Sequence, residues 1–132
     1  MTTFALRAPG GSNATESELL LDGRPTGNRV AGRLLEAQFP IATENATVLL
    51  VTDDNPYEEA LHIHLVDDVG TVLETITVGA PYTPGMLKEP RMVSPYELAF
   101  DFQRPRRLRV HFPPKGIVRR KYLELSSGSE DS

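Results

Sequence analysis

Proline and glycine interrupt this chain so often that long helices have little room. Eleven prolines and ten glycines are spread over 132 residues, and the longest stretch free of both runs from Ile41 to Asn55. Even that stretch contains the turn-forming segments Thr43-Glu44-Asn45 and Asp53-Asp54-Asn55. Proline inside a helix removes a hydrogen bond and clashes with the preceding turn, and glycine adds an entropic cost. Between the breakers lie short segments rich in Val, Leu, Ile, Thr and Phe, the residues that suit a pleated, half-buried surface. The expected fold is therefore all-β: a single-domain antiparallel β-sandwich of jelly-roll or immunoglobulin-like type, with about seven to nine strands. It should occupy residues 1–125, with a disordered acidic tail at 126–132.

Alternation locates the main strands. Along Glu59–Val66, Leu61, Ile63 and Leu65 fall on one face while His62, His64 and Val66 fall on the other. The loop Asp67-Asp68-Val69-Gly70 leads into Thr71–Val78, where Val72, Ile76 and Val78 are expected to share a face. Together they read as a β-hairpin. Tyr96–Phe102 sets Tyr96, Leu98, Phe100 and Phe102 against Glu97, Ala99 and Asp101. Gln103-Arg104-Pro105-Arg106 reads as the turn into Leu108–Phe112, Pro113-Pro114 as its stop, and Lys115-Gly116 as the turn into Ile117–Leu125.

Thr47–Thr52 is almost wholly apolar, as befits a central strand covered on both faces. Thr3–Ala8 and Glu18–Leu21 are weaker strand candidates. Arg29–Phe39 suits a strand, although Asn28 and Pro40 would also frame a helix. Gly79–Pro95, broken by Pro81, Pro84, Pro90 and Pro95, reads as a long loop.

Several chemistries are excluded or have no motif. With no cysteine there is no disulfide, thiolate metal site or cysteine nucleophile. Cysteine-free composition favours a reducing compartment, so a cytoplasmic protein without a membrane anchor is expected. No phosphate-binding loop, nucleophile elbow or His-Glu-x-x-His helix is present.

Two features could carry function. More than half of the 14 Lys and Arg residues lie between 103 and 122, where no acidic residue occurs, although the whole chain carries a net charge of −4. The block comprises Arg104, Arg106, Arg107, Arg109, Lys115, Arg119, Arg120 and Lys121. On a hairpin, several of these would share one surface. Exposed stacking aromatics are missing there, so nucleic acid is not the expected partner. Phe102 and Phe112 belong to the apolar rows. Acidic groups of the same chain, of a second copy or of a protein partner would compensate the cations. The leading expectation is thus a non-enzymatic binding or assembly module, acting on a protein partner or as a homo-oligomer, with no cofactor.

The second feature is His62-Ile63-His64. At this spacing on a strand both imidazoles leave the same face, as two ligands of one metal ion would. His111 would be the third ligand, with Glu74 or Asp101 able to add a carboxylate. The tripeptide is similar to part of the cupin metal motif, which puts His-x-His on a jelly-roll strand. That family's following Glu has no counterpart, the nearest acids being Asp67 and Asp68. The similarity implies an alternative: a jelly-roll, metal-dependent small-molecule enzyme or binder holding a transition metal. The plain reading is that the two histidines line a solvated sheet face. The acidic turns Asp53-Asp54-Asn55 and Asp67-Asp68 are explained by Asp and Asn bonding their own backbone. Glu97 and Asp101 share one strand face, as charges on an exposed sheet commonly do.

Overall fold

A computed structural model describes residues 3–8, 16–41, 45–53, 60–79, 86–94, 97–102, 104–110 and 123–127. All regular structure among them is strand: β1 (Phe4–Arg7), β2 (Glu16–Leu21), β3 (Arg24–Ala31), β4 (Leu34–Ile41), β5 (Ala46–Thr52), β6 (Leu61–Asp67), β7 (Val72–Val78), β8 (Leu87–Ser94), β9 (Glu97–Phe102), β10 (Arg104–Val110) and β11 (Leu123–Ser127). Among the described residues no helix is long and apolar enough to cross a membrane.

The strands form three antiparallel sheets, ordered β1-β2-β3, β4-β5-β6-β7 and β8-β9-β10-β11. Each is a meander in which neighbours in sequence are neighbours in space. The all-β antiparallel class matches expectation. Among the described strands there are no Greek-key crossings of the kind that define jelly rolls and immunoglobulin domains. The described strands stack as three sheets in a sandwich-like arrangement.

The β4–β7 sheet is the middle layer because its inner strands are apolar on both faces. One face presents Val48 and Leu50 from β5 and Leu61, Ile63 and Leu65 from β6. These pack against Leu98, Phe100 and Phe102 of β9, the row read from alternation. The other face presents Leu49, Val51 and Val66, which pack against Phe4, Leu19 and Val30 of the β1–β3 sheet. Every residue of β5 is consequently buried.

Four local departures from the expected pattern have physical causes. Arg29–Phe39 is not one strand: Gly32, at φ +103°, breaks it into β3 and β4, which belong to different sheets. A Cβ on Gly32 would lie 2.3 Å from Val51 Cγ1, so glycine is needed for approach as well as for backbone angle. Pro40 lies inside β4 without harm, because β4 is an edge strand and the missing N–H can face outward. Second, half of the expected Gly79–Pro95 loop is β8, another edge strand. Register shifts on both sides of Arg91–Met92 and a positive φ at Glu89 accommodate Pro90. Third, a register shift places Val66 opposite Val72 and Leu65 opposite Glu74, leaving Leu73 as the extra residue. Val72 therefore joins Val66 in the second core rather than sharing a face with Ile76 and Val78. Fourth, Arg104–Arg106 belong to β10 and pair with β9 instead of forming the turn. The far end of the sheet also moves, since β11 extends to Ser127, past the expected limit at 125.

Candidate functional site

The histidines do not line a solvated face. The β1–β3 sheet covers that side of β6, and His64 is 1 % exposed. His64 sits where β3 ends and the chain crosses into the middle sheet. Its Nε2–H donates to the Ala31 carbonyl at 3.0 Å, since a carbonyl only accepts. Its Nδ1 lies 2.8 Å from the Thr75 hydroxyl, the residue directly opposite it on β7. Ser17, 1 % exposed, donates its hydroxyl to the next carbonyl of the crossing, Gly32, at 2.7 Å. The Arg33 N–H then donates to Thr52 O at 2.7 Å and starts the new ladder. Buried carbonyls left by a strand change would otherwise each cost about 1–3 kcal/mol. His64 and Ser17 satisfy two of them.

His62 lies next along the row, stacked on His64 with ring centroids 6.3 Å apart. Its Nε2–H donates to Asp53 Oδ1 at 2.7 Å, and its Nδ1 lies 3.0 Å from the Thr77 hydroxyl. All four ring nitrogens of the pair are thus engaged within the chain. A metal ligand must offer a nitrogen lone pair, so metal binding here would first displace Thr75, Thr77, Asp53 or Ala31. Burial lowers the His64 pKa below the ordinary imidazole range; the Ala31 hydrogen bond opposes this and the neighbouring His62 reinforces it. The resulting neutral ring donates from Nε2 and accepts at Nδ1.

The other residues considered with the histidines lie elsewhere. Glu74 pairs with Leu65 and occupies the row of the first core, on the opposite face of the middle sheet. Asp101 alternates with Phe100 and Phe102 and faces outward from the β8–β11 sheet. His111 is outside the described residues. No group of three His, Cys, Asp or Glu suited to a metal ion occurs among the described residues. Asp53, read from sequence only as a turn residue, is the acidic partner of His62. Asp67 does follow turn chemistry, accepting from the Val69 and Thr71 N–H groups at 3.0 and 2.8 Å.

The basic block divides. Lys115, Arg119, Arg120 and Lys121 are outside the described residues. Arg104, Arg106, Arg107 and Arg109 are on β10, but they do not form one row. Arg106 pairs with Phe100 and lies on the inward row, where its Nε donates to the Phe102 carbonyl at 3.1 Å. Arg107, on the outward row, reaches Glu97 at 3.5 Å. The register places Arg109 between Glu97 of β9 and Glu124 of β11, and Lys88 opposite Asp101. The outer face of this sheet is therefore laced with both signs of charge. An open recess of about 310 Å³ is lined by Glu89, Arg91, Asp101 and Arg107, together with Arg106 from the inward row.

No protein-family model matches this sequence, and no curated protein or solved structure shows significant similarity to it.

Proposed function

We propose that this chain is a non-enzymatic assembly module of the cytoplasm that binds a second copy of itself through the outer face of β8–β10. The observation that supports this reading is the open recess whose lining combines Arg91 and Arg107 with Glu89 and Asp101. A surface carrying both signs can complement a copy of itself across a two-fold axis. The chain as a whole has the matching imbalance, with its cations concentrated at 103–122 and its acids elsewhere.

The internal pairing of Arg107 does not stand in the way. Arg107 and Glu97 are 3.5 Å apart, with the arginine side chain 46 % exposed. The arginine end of the pair stays in solvent, where screening weakens an ion pair. Charge complementarity of this sort fixes register and speeds encounter more than it adds affinity.

Sedimentation velocity across a concentration series tests the proposal. We expect reversible association that weakens with added salt. Arg91→Glu combined with Arg107→Glu should abolish it while the circular dichroism spectrum stays unchanged. A wild-type chain that sediments as a monomer throughout, or a double variant that associates as tightly as wild type, would refute it.

A further inference from the structure

We propose that the stacked pair His62–His64 is an acid-sensitive latch: protonation of His64 releases the β1–β3 sheet from the middle sheet and leaves the rest of the sandwich closed. The placement of His64 carries the argument. It is the buried imidazole at the one crossing that joins the two sheets, bonded to the last residue of β3.

The hydrogen bonds alone would survive protonation. The Nδ1–H gained on protonation would donate to the Thr75 hydroxyl, which rotates to accept, and Nε2–H would still donate to Ala31. The penalty is electrostatic. A buried imidazolium loses most of its hydration, and the surroundings offer little in return. From β7 the groups facing it are the hydroxyls of Thr75 and, at the His62 end, Thr77. From β5 they are Leu49 and Val51. From β3 there is the Ala31 carbonyl, and from β2 the Ser17 hydroxyl acts one carbonyl further on. Glu16, opposite Ala31 in the ladder, is exposed. Asp53 lies on His62, which in turn opposes a charge on His64. Relief comes from water reaching the ring, which lifting the end of β3, bonded to it through Ala31, would provide.

The direction of the pH effect follows. The folded-state affinity of His64 for a proton is lower than that of the unfolded or opened chain. Below the ordinary imidazole value of about 6.5, the opened state binds the proton first. The closure of this sheet is therefore fully stable above that pH. It weakens as pH falls toward the folded-state pKa, then levels off below it.

Hydrogen exchange on the full chain at about pH 7.5 and pH 5, corrected for intrinsic rates, tests this. Amides of β2 and β3 should lose protection at the lower pH, and those of β9 far less. In His64→Gln, which retains a donor for Ala31 but does not titrate, the difference between the two pH values should vanish. Equal loss in all three sheets, no loss, or an unchanged response in His64→Gln would overturn the proposal. Should that variant fail to fold, the wild-type ring decides. NMR titration of His64 must share its midpoint with the opening of β2 and β3, and separate midpoints would refute the latch.

Discussion

The two faces of the middle sheet are closed in different ways. Toward β8–β11 the contact is a broad apolar layer in which Leu50, Ile63, Phe100 and Phe102 are each at most 2 % exposed. Toward β1–β3 the apolar cluster is smaller, and discrete polar bridges accompany it. The Gln38 side-chain amide bonds both ways to the backbone of Phe4, accepting from N–H and donating to C=O, each at 2.9 Å. Asn28 donates to the Gly70 carbonyl at 2.7 Å, and His64 and Ser17 hold the crossing. Apolar contact is non-directional and scales with area, whereas these bridges fix one relative position of the two sheets. The small sheet is thus located by geometry more than by area. That is also why one titratable side chain can act on it.

Three single substitutions, and a fourth added to the second of them, would break or sharpen this contrast. Phe102→Ala should have the largest effect, destabilising the chain by about 3–5 kcal/mol in denaturant unfolding, as buried aromatic truncations do. A loss no larger than that of a bridge would end the distinction. Gly32→Ala should follow at about 2–3 kcal/mol, combining a strained positive φ with the approach to Val51. Adding Val51→Ala should recover the clash but not the backbone strain, and a double-mutant cycle would separate the two. Gln38→Ala should cost least, about 1–2 kcal/mol. Its clearest sign would be faster exchange of β1 amides, with β9 unaffected.

Much of the apolar face was legible in the sequence. The rows Leu61/Ile63/Leu65 and Leu98/Phe100/Phe102 follow from period two alone, and the uninterrupted Thr47–Thr52 announced cover on both sides. The polar face was not legible to the same degree. Alternation shows that His62 and His64 share a side but not whether another sheet lies over it. Nothing local marks Gln38 or Ser17 as bridges, because their partners are 34 and 15 residues away. Gly32 was visible as an interruption. That it switches sheets depends on Val51 and His62 lying against it, a tertiary fact. The basic block was conspicuous as composition, yet pairing register decided its meaning by setting Arg106 inward and Arg107 within reach of Glu97.

The meander order has a consequence for how the chain is made. Every strand pairs only with its immediate neighbours, so each sheet can zip by successive short closures, a quick route by the standards of β proteins. Synthesis runs from the N-terminus, and the first meander emerges with Phe4, Leu19 and Val30 lacking their cover until β5 and β6 follow. The nascent small sheet must wait for the middle one, and the middle one, once docked, still has an open side until β9 arrives.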